Sequence, residues 1–113
     1  MGQALRILVV EDEMMIAMML EDILADLGHQ VAGVAMRLPQ AMELAKGIEA
    51  DIAILDINLD GRKSFPAAEV LRERGVKLIF VRQPELSTAG PHGKLLLAIY
   101  SYFAEVEREF ISV

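Results

Sequence analysis

Short apolar runs alternate with longer amphipathic segments along most of the chain. Runs rich in Val and Ile, such as Leu5–Val10, are typical of strands buried on both faces of a parallel sheet. Apolar residues at three- and four-residue spacing from Met14 to Leu27 predict an amphipathic helix that ends at Gly28. The whole pattern predicts, in order, strand Leu5–Val10, helix Met14–Leu27, strand Gln30–Ala35, helix Pro39–Lys46, strand Asp51–Leu55, helix Ala67–Arg74 and strand Val76–Val81.

This alternation of strands and helices predicts an α/β fold built on a parallel sheet. The pattern changes after the fourth strand, because residues 83–93 are rich in Pro, Gly, Ser and Thr and predict a loop. Residues 94–111 then predict one long closing helix. Its apolar residues form a seam at alternating three- and four-residue steps, which is a possible dimer interface; the seam consists of Leu96, Ile99, Phe103, Val106 and Phe110.

Acidic residues follow two of the predicted strands, at the point where each strand ends. Glu11 and Asp12 follow the first strand, and Asp56 follows the third. The carboxyl ends of parallel strands meet at one edge of a sheet, where open α/β sheets bind their ligands. A cluster of carboxylates at that edge suits Mg²⁺ and phosphoryl transfer. A single acidic residue in such a place is more often a helix cap or a solvated loop residue, which is our interpretation of Glu13.

Composition narrows the classes of protein to consider. The 113 residues, of which 54% are hydrophobic, suffice for a single domain spanning residues 1–113. The formal net charge of −6 makes a nucleic-acid partner unexpected, and the absence of Cys excludes disulfides and thiol chemistry. No apolar stretch is long enough to span a bilayer. We therefore expect a cytoplasmic protein with no membrane partner.

Two segments together resemble the receiver domain of bacterial response regulators. They are Arg6-Ile-Leu-Val-Val-Glu11-Asp12-Glu13 and Asp51-Ile-Ala-Ile-Leu-Asp56-Ile-Asn-Leu-Asp60-Gly61, and the resemblance covers about residues 4–75. It implies a three-layer, flavodoxin-like sandwich with strand order 2-1-3-4. It also implies that Asp56 accepts a phosphoryl group from a histidine kinase. The metal ligands implied for Mg²⁺ are Glu11, Asp12, Asp56 and the backbone carbonyl of Asn58.

Two phosphoryl-contacting residues of that family have no counterpart in this sequence. The family carries Ser or Thr after its fourth strand, where this chain has Arg82, and a Lys before Pro after its fifth strand. No Lys-Pro pair follows Arg82. Arg82 is a possible phosphate contact, although a solvent-facing loop Arg is the simpler interpretation. We therefore expect impaired signalling and no enzymatic activity.

Residues 76–113 resemble a second family, the later half of the serine recombinase (resolvase/invertase) catalytic domain. The specific features are the small-polar loop, Gly93-Lys94 and the helix containing Ala104-Glu-Val-Glu-Arg108. This resemblance implies a dimer-forming helix, with Arg108 at the scissile phosphate. However, the recombinase nucleophile is a Ser after the first strand, where this chain has Glu11 and Asp12. Such an acidic edge would repel DNA phosphates, so strand cleavage is not expected.

The two resemblances meet near Gly75, so residues 1–75 and 76–113 suggest a fusion of two halves, and we expect an engineered chimera. The leading functional hypothesis is a receiver-like module with a residual Mg²⁺ and phosphoryl-acceptor site at Asp56. The alternative is a structural protein that forms a homodimer through its C-terminal helix. A DNA recombinase is a remote third hypothesis.

Overall fold

The computed structural model describes residues 4–81. Four long strands form one parallel sheet in the order β2-β1-β3-β6, and two short strands form an antiparallel hairpin, β4-β5. The elements are β1 (Arg6–Val10), α1 (Met14–Asp26), β2 (Gln30–Ala35), α2 (Leu38–Gly47), β3 (Ile52–Asp56), β4 (Asn58–Leu59), β5 (Arg62–Lys63), α3 (Phe65–Glu73) and β6 (Lys77–Val81).

The predicted α/β fold and strand order are confirmed, with β6 as the fourth long strand. The flavodoxin-like sandwich follows from two apolar clusters on opposite faces of the sheet. Alternate residues of β1 and β3 pack with α1 on one face. The remaining residues of both strands pack with α2 and α3 on the other face. The long C-terminal helix predicted from the sequence lies outside the described residues.

The central strands are buried on both faces, which explains why their sequences lack an apolar–polar alternation. All five residues of β3 are buried, as are the last four of β1. β1 lies between β2 and β3, and its pairing with β3 places Val10 beside Leu55. Glu11 and Asp56, which follow these two paired residues, therefore lie next to each other at the end of the sheet.

The β4-β5 hairpin contains two short strands that the sequence analysis did not predict. Asp60 and Gly61 both have positive φ values, 50° and 86°, as a two-residue type I′ turn requires. Gly adopts this conformation without strain, and Asp tolerates it. Leu59 is only 1% exposed, so it anchors the hairpin in the core beneath it. The turn therefore has a fixed place after β3.

No helix within residues 4–81 has the length and hydrophobicity needed to cross a membrane.

Replacing a core residue of α1 tests this packing. Leu24 is fully buried and Met18 is 55% exposed on the same helix. Leu24→Ala should lower the free energy of unfolding by about 3 kcal/mol, because it removes buried methylene groups and leaves a cavity. Met18→Ala, the matched control, should change it by less than about 0.5 kcal/mol. Urea unfolding followed by circular dichroism measures both, and equal losses would contradict the assigned burial.

Candidate functional site

Three carboxyl groups meet at the carboxyl edge of the central strands. Glu11 and Asp12 follow β1, and Asp56 is the last residue of β3. The Glu11 N–H donates to the Ala35 carbonyl at 2.9 Å, which prolongs the β1–β2 pairing by one residue. One carboxylate oxygen from each group lies within 4.8 Å of the others. The structure therefore brings together the three side chains that the sequence analysis singled out.

The cluster lies mostly beneath the protein surface. Glu11 is 0% exposed and Asp56 is 2% exposed, whereas Asp12 is half-buried. Buried carboxylates are rare because an ionised group loses its hydration inside a protein. Such burial is costly unless partners or a bound cation stabilise the charges. The arrangement therefore differs from a set of solvated loop residues, which was the simpler interpretation of each acidic residue alone.

Backbone N–H groups anchor the three carboxylates. Glu11 Oε2 accepts a hydrogen bond from Glu13 N at 2.8 Å, and Asp12 Oδ2 accepts one from Asp60 N at 2.8 Å. Asp56 Oδ1 accepts a longer hydrogen bond, 3.3 Å, from Asn58 N. Glu13 occupies the N-cap position of α1, as expected, but its side chain makes no capping hydrogen bond. The loops after β1 and β3 therefore set the directions of the carboxylates.

Asp56 Oδ2 is the atom that best indicates a ligand. It is buried, and with the three groups ionised no residue from 4 to 81 donates a hydrogen bond to it. An unsatisfied buried acceptor is destabilising by about 1–3 kcal/mol. Mg²⁺ takes oxygen ligands at about 2.1 Å in octahedral geometry, so small side-chain adjustments would bring three oxygens within 4.8 Å into its coordination sphere. The donor set fits a divalent cation.

Burial also changes the acidity of the cluster. Burial raises the pKa of Glu11 from 4.5 to about 8, the hydrogen bond from the Glu13 N–H opposes the rise, and Asp12 and Asp56 add to it. Burial likewise raises the pKa of Asp56, and the negative charge of Asp12 acts in the same direction. Loss of hydration is therefore the larger cause of the raised pKa values, and repulsion between the carboxylates adds to it.

The β4-β5 hairpin carries polar side chains that the sequence analysis did not assign to the site. Lys63 Nζ donates to Asn58 Oδ1 at 2.8 Å, and Arg37 Nη1 pairs with Asp60 Oδ2 at 2.7 Å. Both contacts are exposed. The signal that could have indicated them is Asp60-Gly61, a typical hairpin turn, which would have placed Lys63 opposite Asn58.

Other predicted residues lie beyond the described part of the chain. They are the possible phosphate contact Arg82, Arg108, and the seam of Leu96, Ile99, Phe103, Val106 and Phe110. Their assigned roles stay predictions.

Comparison with known proteins identifies the family. A profile of the response regulator receiver domain matches residues 7–85. The chain is 32% identical over 76 residues to the transcriptional regulatory protein PdtaR of Mycobacterium tuberculosis, a match covering 67% of this chain and 37% of PdtaR. It is 39% identical over 54 residues to the chemotaxis protein CheY of Thermotoga maritima, covering 48% and 45% of the two chains. The chain therefore belongs to the response regulator receiver domain family.

Solved structures agree with this assignment. The response regulator PhyR from Brucella abortus matches with a TM-score of 0.71 and 26% identity, over 95% of this chain and 51% of PhyR. SdrG from Sphingomonas melonis Fr1 matches with a TM-score of 0.64 and 42% identity, over 71% and 69% of the two chains. The matched parts thus span about half the length of the Brucella protein, and less than half the length of PdtaR and CheY.

The family match also corrects the boundary expected near Gly75. The receiver profile continues to residue 85, so β6 falls within the receiver match and not at the start of a recombinase half. An apolar strand such as β6 occurs in many α/β folds, which explains why its sequence alone did not separate the two families. These relatives lend no support to a recombinase half or an engineered fusion, and both stay hypotheses drawn from the sequence.

The raised pKa of Glu11 predicts how stability depends on pH in the absence of divalent cations. The folded chain binds the Glu11 proton more tightly than the unfolded chain, so the free energy of unfolding should fall as pH rises from 4.5 to about 8. The slope contributed by one group is at most about 1.4 kcal/mol per pH unit. Urea unfolding at several pH values with a chelator present measures this dependence.

Glu11→Gln provides the control for this prediction, because Gln has the same shape and does not titrate. The variant should be less sensitive to pH across this range, and near neutral pH it should be more stable than the parent chain. A parent chain whose stability rises with pH across the range would contradict the prediction.

Proposed function

We propose that the chain is a receiver module in which Asp56 accepts a phosphoryl group. Under this proposal Mg²⁺ is bound by Glu11, Asp12, Asp56 and the backbone carbonyl of Asn58. The observation that supports it most is the convergence of three largely buried carboxylates at the carboxyl edge of β1 and β3, in a chain that belongs to the receiver family. The same donor set and the family's usual acidic metal site point to Mg²⁺ as the cofactor.

The proposed chemistry is a phosphoryl transfer to a carboxylate. An Asp56 carboxylate oxygen forms a bond to phosphorus while the bond between phosphorus and the donor's leaving group breaks, and the leaving group takes the electron pair. A bound Mg²⁺ would offset the charges of the carboxylates and of the phosphoryl oxygens. The hydrogen bond from Asn58 N orients Asp56, and the burial of its carboxylate limits competing contact with water.

The sequence favours a weaker response to phosphorylation than a typical receiver domain shows. Arg82 occupies the place of the family's hydroxyl residue, and no Lys-Pro pair follows it. A phosphorylated Asp56 would therefore lack two groups that bind phosphoryl oxygens in this family. We propose that phosphorylation occurs but changes the output surface less than usual.

Partners follow from the same proposal. A histidine kinase is the proposed phosphoryl donor, as the receiver resemblance implies. A structure of PhyR from Bartonella quintana, described as an anti-anti-sigma factor complexed with the anti-sigma factor NepR, is similar to this chain at 29% identity with a TM-score of 0.63. The match covers 32% of that PhyR chain. An anti-sigma factor is accordingly a candidate output partner.

We also propose that residues 1–113 fold as one domain.

The alternative function is self-association through the seam of residues 94–111, and it does not depend on the acidic cluster. Light scattering over a range of concentrations tests the homodimer, because a strict monomer removes this alternative. The repulsion between the acidic edge and DNA phosphates, together with the family assignment, argues against a recombinase.

Phosphorylation of Asp56 has a direct test. Incubation of the full chain with Mg²⁺ and acetyl phosphate should add one phosphoryl group, detected by intact mass. Asp56→Asn should remove the adduct, and so should omission of Mg²⁺. Asp51→Asn is the matched control, since Asp51 precedes the same strand at the opposite edge of the sheet, where Asp51 Oδ2 accepts a hydrogen bond from Arg6 N. An adduct that survives Asp56→Asn defeats the proposal.

Mg²⁺ binding can be tested separately from phosphorylation. The ion should raise the unfolding temperature of the parent chain, because a ligand that binds only the folded state stabilises it. Asp12→Asn should reduce this increase severalfold, since it removes a charged ligand. Glu13→Gln removes the same charge from the next residue, which is exposed, and should leave most of the increase in place. Similar behaviour of the two variants would indicate a diffuse charge effect instead of a site.

A further inference from the structure

Lys63 is linked to Asp56, the proposed phosphoryl acceptor, through Asn58. Asn58 N donates to Asp56 Oδ1, and the Asn58 side chain accepts a hydrogen bond from Lys63 Nζ at 2.8 Å. The hairpin pairs Asn58 with Lys63, and the type I′ turn sets this register. The Lys63 ammonium group therefore contacts Asn58, the residue whose N–H orients the Asp56 carboxylate.

Lys63 differs in position from the other lysines of residues 4–81. Lys46 Nζ lies 3.6 Å from Glu43 Oε1 on the exposed side of α2. Lys77 begins β6, at the sheet edge opposite the acidic cluster. Of these three, Lys63 alone donates a hydrogen bond to a proposed site residue. The partner of Lys63 is a neutral amide oxygen, which is a weaker acceptor than a phosphoryl oxygen. The long, flexible side chain of Lys63 permits a change of partner.

The sequence also lacks the Lys that receivers carry before Pro after their fifth strand. Under the proposed function, a phosphoryl group on Asp56 would therefore lack that positive charge. We infer that Lys63 replaces it: when Asp56 is phosphorylated, the Lys63 ammonium moves from Asn58 Oδ1 to a phosphoryl oxygen. This inference rests on the proposed function, and it assigns Lys63 a direct contact with the transferred group.

The contact would assist the transfer described above without a proton step of its own. An Asp56 carboxylate oxygen forms the new bond to phosphorus. When acetyl phosphate is the donor, acetate leaves with the electron pair of the broken bond. Lys63 stays protonated throughout and donates a hydrogen bond to an oxygen whose negative charge must be stabilised. Because the ammonium is exposed, its effect should be modest, about fivefold in rate.

The chain offers a closely matched control for Lys63. Arg62 is the adjacent residue of β5 and carries the same charge, but it pairs with Leu59 and its side chain points to the other face of the hairpin. Lys63→Gln and Arg62→Gln therefore change the net charge equally. Lys63→Arg keeps the charge, and Asn58→Ala removes the resting partner of Lys63 while keeping the backbone groups.

The experiment compares these full-length variants in two measurements. The first is the rate of Asp56 phosphorylation by acetyl phosphate with saturating Mg²⁺, followed by intact mass. Lys63→Gln should slow it about fivefold relative to Arg62→Gln, and Lys63→Arg should restore most of the rate. The second is Mg²⁺ affinity by NMR titration, which needs no phosphoryl donor. Lys63→Gln should bind Mg²⁺ roughly twofold more tightly than Arg62→Gln, because a nearby positive charge is gone.

The possible failures are distinguishable. If the parent chain accepts no phosphate at Asp56, the proposed function fails and this inference fails with it. If the parent chain is phosphorylated and the rates of Lys63→Gln and Arg62→Gln are equal, only the inference about Lys63 fails. A Lys63→Gln variant that is slow because it is destabilised would show a lowered unfolding temperature, and a rate left unrestored by Lys63→Arg would then overturn the inference.

Discussion

The site depends on one constraint, the loss of hydration that three carboxyl groups undergo when two parallel strands end side by side. Glu11 and Asp56 are almost wholly buried, and both have raised pKa values because of that burial. Such burial is costly unless a partner, a proton or a cation stabilises the charges. The central strands β1 and β3 pair with each other and pack against apolar residues on both faces, which holds the two strand ends side by side.

The buried core and the site therefore have opposite effects on stability. Apolar packing around β1 and β3 stabilises the folded chain, while the clustered acids at the ends of the same strands destabilise it until a proton or cation relieves them. A cation that binds the cluster removes this destabilisation, so its binding raises the free energy of unfolding. A destabilised cluster on a rigid frame is typical of a functional site.

Much of the frame could be predicted from the sequence, because it follows from local patterns. The strands, the amphipathic helix α1 and the meeting of Glu11, Asp12 and Asp56 all follow from hydrophobic runs and from where each run ends. The hydrogen bond from Asp60 N to Asp12 joins residues 48 positions apart, and no local pattern encodes it. The β4-β5 strands and the contact between Lys63 and Asn58 do have a local signal, the Asp60-Gly61 turn, which the sequence analysis did not extend to the flanking residues. The boundary near Gly75 was misplaced because β6 has the composition of any buried parallel strand.

The anchoring of the carboxylates has a consequence for how such a site persists as sequences diverge. Glu13, Asn58 and Asp60 each hold a carboxylate through their main-chain N–H. At Glu13 and Asn58 any residue except Pro could perform that task, whereas the positive φ of Asp60 also favours Gly, Asn or Asp there. Selection at the cluster can then act on the three acids and leave the side chains of Glu13 and Asn58 free to change. A geometry held by the main chain depends on the path of the two loops more than on the side chains that these loops carry.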